Sequence, residues 1–283
     1  MRILLCLNRD LMSNLALNLL APALEGHVFD IVLSHGIGKR NAPKASEIEH
    51  WGKLEHRLIE GGLFPLLEKR IPASGSFRTF EQRALHSESG RLQTFASINT
   101  GEGLDHVRRF APHIVVSIRF GLIFKAPLIA LPHLGILNLH SGLLPEYRGV
   151  LTTFWAMLQD EPKIGCTLHK VTDGTIDTGE IVAMHALPPD RRRSLLWNIA
   201  SLYDGGTALI ANALKTLERD KPIPAAPQDS HRGRYFTYPD EAAAARFLAK
   251  GLRFHSADDY AEIFARYGIT RAEAAPLLSQ IRD

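Results

Sequence analysis

The chain has 283 residues, 45% hydrophobic and 22% charged, with 22 Gly and 16 Pro. That excludes a mainly disordered or collagen-like chain and fits one large domain, or a domain of roughly 200 residues with a small appendage. Its 2 cysteines, Cys6 and Cys166, lie in apolar runs, which excludes a disulfide framework and disfavours a cysteine-based zinc site, and a net charge of +3 does not by itself call for nucleic acid.

No segment approaches the roughly 18 apolar residues of a membrane span. The first residues do not read as a signal peptide, because Asn8-Arg9-Asp10 interrupts the apolar run. The expectation is a soluble cytoplasmic protein with reduced thiols. The histidines show no His-Glu-x-x-His pattern, so no metal site is expected.

In chain order, residues 2–7 read as a buried strand, 11–24 as a helix and Phe29–Leu33 as a second buried strand. This is the opening of a parallel sheet. Residues 35–44 read as a loop, with Gly36, Gly38 and several Lys and Arg. Ala45–Arg70 then reads as one or two amphipathic helices that Gly61-Gly62 can break. Strands follow at Leu92–Ala96, Ile114–Ile118, Gly135–Leu139, Ile164–Val171 and Glu180–His185, with a short helix at Gly103–Phe110. Arg193–Arg219 is a long helix. The division is a catalytic domain over 1–220 with a helical insertion at about 35–90, a proline-rich linker over 221–228, and a helical C-terminal appendage over 229–283. Thr270 and Glu273 have capping-box spacing for the last helix.

The chemistry concentrates in Gly135–Ile181. Asn138 and His140 stand two apart at the end of a strand, so their side chains share a face. Open α/β sheets bind ligands outside the carboxyl ends of their strands. An amide that can donate to an oxyanion and an imidazole that can move a proton are therefore delivered together. An isolated Asn-x-His is more often a strand-end amide beside a structural histidine. Here it is followed by Leu143-Leu-Pro-Glu-Tyr-Arg-Gly149, Gly165-Cys-Thr-Leu-His169 and Ile176-Asp-Thr-Gly179.

Those four motifs, in that order, resemble the folate-dependent formyltransferases, a group that includes the glycinamide ribonucleotide, methionyl-tRNA and sugar-nucleotide N-formyltransferases. The resemblance covers roughly 1–215 and is strongest over 112–185. It implies an α/β, Rossmann-like fold with a mostly parallel sheet. It implies that Asn138, His140 and Asp177 are catalytic. It implies that Phe120, Gly121, Leu122, Ile123 and Phe124, with Thr172, Asp173, Gly174, Thr175 and Ile176, bind N10-formyltetrahydrofolate. In the implied chemistry an amine attacks the formyl carbon, Asn138 and protonated His140 hold the oxyanion, and Asp177 steadies His140. The sequence departs from the family pattern at Gly142, where Ser is usual, and at Thr152-Thr153, where Pro is common.

Residues 229–283 read as helical, with 8 basic and 8 acidic residues, which disfavours a tRNA-gripping module. The loop after the first strand, Asn8-Arg9-Asp10, is not glycine-rich, which disfavours a nucleotide monophosphate. The expected acceptor is a small-molecule amine: an amino-sugar nucleotide, or a hydroxylated amine such as N-hydroxyornithine. The alternatives are a methionyl-tRNA formyltransferase-like enzyme or an inactive folate-binding homologue. A homodimer is compatible with the sequence. Arg191–Arg193 reads as a solvated helix start, and Trp155, Met157 and Leu158 as packing.

Overall fold

The computed structural model describes residues 1–36, 43–70, 76–229 and 231–281. The expected loop residues Gly38, Lys39 and Arg40, and residues 71–75 of the expected insertion, lie outside the described residues.

The chain begins with strand β1 (Arg2–Asn8), helix α1 (Leu11–Leu20), a 3-10 turn at Ala21–Leu24 and strand β2 (Val28–Ser34). Asp10 caps α1, its Oδ1 accepting from Ser13 N at 2.7 Å. Helices α2 (Ser46–Leu58) and α3 (Phe64–Glu68) follow, joined by a π-turn over Ile59–Leu63. Gly61-Gly62 therefore loosens the helix by one wide turn without ending it. Then come α4 (Phe80–Ala84), β3 (Gln93–Thr94), α5 (Gly101–Phe110), β4 (Ile114–Ile118), α6 (Ala126–Ile129), β5 (Ile136–His140), β6 (Tyr147–Gly149), α7 (Thr152–Leu158), β7 (Ile164–Lys170) and β8 (Ile181–Leu187). The chain ends with α8 (Leu195–Leu217), β9 (Arg234–Phe236), α9 (Glu241–Ala249), α10 (Ala257–Ala265) and α11 (Arg271–Leu278).

The main sheet has strand order β3-β2-β1-β4-β5-β7-β8. The pairings from β3 through β5 are parallel, and β5–β7 and β7–β8 are antiparallel. The central strands are near-continuous apolar runs because helices cover both faces. Strand order reverses between β1 and β4, which opens a crevice at their carboxyl ends. The α/β class and mostly parallel sheet expected from the sequence are present, as is the helical C-terminal region.

That region shares the main core. Phe154 of α7 stacks on Phe247 at 4.6 Å and Phe254 at 5.9 Å, and Trp51 of α2 donates to Tyr260 Oη at 3.0 Å. Residues 221–228, expected as a linker, carry an isolated bridge from Ala226 to Ile181. The three arginines before α8 are ion-paired: Arg191 to Asp160, Arg192 to Asp190, and Arg193 to Asp259. Cys6 and Cys166 are buried free thiols. Among the described residues no helix is long and apolar enough to cross a membrane.

Candidate active site

A cavity of about 1240 Å³ opens at the carboxyl edge of the sheet. Asn138, His140 and Asp177 all line it. Asn138 and His140 face one way from β5, while Leu137 and Leu139 face the core on the other side. Asp177 arrives on the loop between β7 and β8 and is buried. Its Oδ2 lies 3.4 Å from His140 Nδ1, and its Oδ1 lies 3.5 Å from His169 Nε2. Gly149 N donates to Oδ2 at 2.9 Å. Burial pushes this carboxyl up, but the His140 charge, the His169 hydrogen bond and charge, and the Gly149 N–H outweigh it and hold it at about 2.

The histidines are oriented by their second nitrogens. Nε2–H of His140 donates to Tyr147 O at 2.7 Å, and Nδ1–H of His169 donates to Lys170 O at 2.9 Å. Asn138 Nδ2 donates to His169 Nε2 at 3.0 Å while that ring is neutral, and the His169 charge and bond felt by Asp177 belong to the protonated ring. That bond leaves the second Asn138 N–H unassigned. The expected direct donation from His140 to an oxyanion differs from this geometry. One nitrogen faces a carbonyl and the other a carboxylate, both acceptors, so the ring is suited to carry two protons and a positive charge. The departure at Gly142 fits the same contact. A Cβ there would lie 2.6 Å from both His140 Nε2 and Tyr147 O, within the bond that orients the ring.

The expected folate residues divide. Phe120, Gly121, Leu122, Ile123 and Ile176 line the cavity. Ile123 is 49% exposed and Ile176 38%, two apolar side chains open to a ligand. Phe124 is buried and stacks on Phe120 at 5.5 Å, so it supports the wall from behind. Thr172, Asp173, Gly174 and Thr175 form an exposed turn that does not line the cavity. The turn is held by Asp173 Oδ1 accepting from Thr175 N at 2.7 Å and sits against the Phe124 carbonyl at Gly174. Phe120, Ile123 and Ile176 give this part of the cavity apolar walls.

Sequence reasoning missed several lining groups. Arg119, in the left-handed region at φ 57°, is the first residue after β4. Its guanidinium pairs with Asp10 Oδ2 at 2.9 Å across the crevice. Glu55, on α2, lines the cavity, accepts from Leu11 N at 3.3 Å, and is pushed up to about 7 by burial and by Asp10. Arg9 is taken up by Glu60 and Glu81 at 2.8 and 2.7 Å. Tyr235 and Tyr238, after the proline-rich stretch, complete the wall. Nothing local to Glu55 or the tyrosines marks them; only the fold brings them to the sheet edge. His169 was visible as part of Gly-x-Thr-x-His but without a partner.

An amide, two imidazoles and a carboxylate thus gather at one edge of a mostly parallel α/β sheet. Residues 68–195 match the family described as formyl transferase. It is 29% identical over 157 residues to a methionyl-tRNA formyltransferase of Caldanaerobacter subterraneus subsp. tengcongensis, covering 54% of this chain and 50% of that one. The chain spans half or less of the length of the curated relatives it matches. Among solved structures, glycinamide ribonucleotide transformylase 1 of Symbiobacterium toebii superposes with a TM-score of 0.53 at 15% identity, covering 81% of this chain and 94% of that one. An N-formyltransferase of Helicobacter canadensis, in complex with folinic acid and dTDP-3-aminofucose, superposes with a TM-score of 0.51 at 16% identity, covering 85% of this chain and 71% of that one. Both share the fold.

Proposed function

We propose that the protein transfers a formyl group to the amine of a small-molecule acceptor in the cytoplasm, the acceptor being an amino-sugar nucleotide or a hydroxylated amine. The observation that carries this reading is the convergence of Asn138, His140 and Asp177 on one cavity that is also walled by Phe120–Ile123 and Ile176. N10-formyltetrahydrofolate, when bound, supplies an activated formyl group. Phe120, Gly121, Leu122, Ile123 and Ile176 would hold it, with Phe124 behind them and Thr172, Asp173, Gly174 and Thr175 setting the turn that carries Ile176.

When the amine attacks, negative charge would grow on the formyl oxygen, and the bond to the carrier nitrogen would then break as the amine gives up a proton and that nitrogen takes one. The second N–H of Asn138 donates to that oxygen, and such donors are worth roughly 3–4 kcal/mol. His140, held between the Tyr147 carbonyl and the Asp177 carboxylate, places positive charge beside it. Asp177 keeps both imidazoles in place and is itself ionised across the working pH range. Burial of His140 and Asp177 keeps bulk water from them and strengthens their interaction.

The acceptor enters from the side formed by Trp51, Glu55, Tyr235 and Tyr238, all outside the family match at 68–195. This wall differs from a tRNA-gripping surface in charge: residues 229–283 hold 8 basic and 8 acidic residues.

The test is single-turnover transfer from N10-formyltetrahydrofolate across a panel of nucleotide-linked amino sugars and hydroxylated amines. Asn138→Ala should lower the rate about a hundredfold or more with the fold intact. Ile123→Asp should weaken folate binding in calorimetry. Gly121 is the wrong place for that probe, because a Cβ there would meet the Gly36 carbonyl at 1.6 Å. Wild-type protein that binds no formyl folate, or Asn138→Ala at wild-type rate, overturns the reading.

A further inference from the structure

Residues 221–228 read as a linker, yet they end in a side chain bonded to the backbone of the turn that carries the candidate catalytic carboxylate. Ile181 N donates to Ala226 O and Ala226 N donates back to Ile181 O, both at 2.8 Å. This reciprocal bridge pins the strap beside β8. Two residues later, Gln228 Nε2 donates to Asp177 O at 3.1 Å and to Gly179 O at 2.6 Å. Both partners are carbonyl oxygens, so only the amide nitrogen of Gln228 can face them. Its Oε1 is buried without a hydrogen-bond partner among the described residues. Leaving an acceptor unsatisfied is costly, so the side chain is held in place by its donor end.

Asp177 needs such support. Its backbone sits at φ 57°, in the left-handed region, which Asp tolerates better than most residues but at some cost. Its contacts to His140 and His169, at 3.4 and 3.5 Å, are at the outer edge of useful reach, so a small shift of the turn breaks them.

We propose that Gln228 is a positioning residue: it clamps the Asp177–Gly179 turn so that the carboxylate stays between His140 and His169. The kinetic part of this proposal rests on the formyl-transfer reading; the structural part does not. If Gln228 merely tethered the strap, its loss would loosen residues 221–228 and leave Asp177 unchanged.

The experiment uses the full chain with Gln228→Leu and Gln228→Met, which keep the bulk and lose the donor without adding a titrating group. The Asp177 carboxyl is followed by carbon NMR against pH, its resonance assigned by its loss in Asp177→Asn. Rates are read by single-turnover transfer from N10-formyltetrahydrofolate to hydroxylamine as the probe nucleophile. Both variants should raise the Asp177 midpoint from about 2 by a pH unit or more. Both should lower the rate roughly tenfold to a hundredfold. In an Asp177→Asn background the further loss should be less than about threefold, because both changes act through one group. If Gln228→Leu does not fold, Gln228→Ala is read in its place. An unmoved midpoint in a folded variant overturns the proposal, as does a full additional rate loss in the Asp177→Asn background. A moved midpoint with a rate indifferent to Asp177→Asn sinks the formyl-transfer reading and leaves the clamp standing.

Discussion

Removing the Asp177 charge should change how stability depends on pH, in a direction fixed by its surroundings. The carboxyl is held at about 2 against an ordinary 3.8. One pH unit corresponds to about 1.4 kcal/mol, so the interval amounts to roughly 2 kcal/mol of folding free energy. Asp177 is only 8% exposed, so solvent screening takes little from that figure. The folded-state value lies below the unfolded one. The contribution is therefore fully present above about pH 4 and is lost as pH falls through about 2. Asp177→Asn keeps the size and removes the charge. Urea unfolding at pH 7, 5, 4, 3 and 2.5 should show the variant about 2 kcal/mol less stable at pH 5 to 7. The gap should narrow below pH 4, because the wild type alone loses this carboxylate. Subtracting the variant from the wild type cancels the titrating groups that do not touch Asp177. A gap that stays constant from pH 7 to 2.5 would refute the electrostatic account and mean that the asparagine is tolerated or rejected on packing alone.

Glu55 should behave in the opposite sense: with its folded value raised to about 7, ionisation destabilises the fold as pH climbs from about 4.5 to 7. Glu55→Gln should thus lose less stability between pH 5 and 8 than the wild type in the same unfolding assay, and parallel curves would rule this out. Phe247→Ala removes a fully buried ring stacked on Phe154 and should cost about 3–5 kcal/mol. Calorimetry should show one cooperative transition at a lower midpoint; a separate early transition would mean that the C-terminal helices melt by themselves.

Much of the sheet was legible because buried parallel strands are written as short apolar runs between polar breaks. Ile114–Ile118 and Ile164–Lys170 match the sequence reading almost to the residue. The Asn138 and His140 pair was legible for the same reason: a period of two places them on one face. What stayed hidden is what depends on distant segments meeting. Strands β6 and β9 are three residues each and pair in parallel across a long separation, so neither carries a periodic signal. The proline-rich stretch was read for its composition, which marks an extended chain but does not say what the chain lies against. Gln228 has no local pattern at all. Helix α7 was hidden by its aromatic and β-branched residues, Thr152-Thr-Phe-Trp, which propensity alone does not favour in a helix.

The β6–β9 pair also sets when the site exists. Gly149, whose N–H reaches Asp177, lies opposite Phe236 in that pair. Chains fold from the N-terminal side as they are made, and contacts between distant segments close slowly. Strands β1 to β5 can assemble early, with Asn138 and His140 already on their edge. The surroundings that fix Asp177 wait for residues 226–236, long after the sheet has formed. A nascent or truncated chain that stops before them would hold the amide and the imidazole but lack a fixed counter-charge, so competence for chemistry would be acquired late in synthesis.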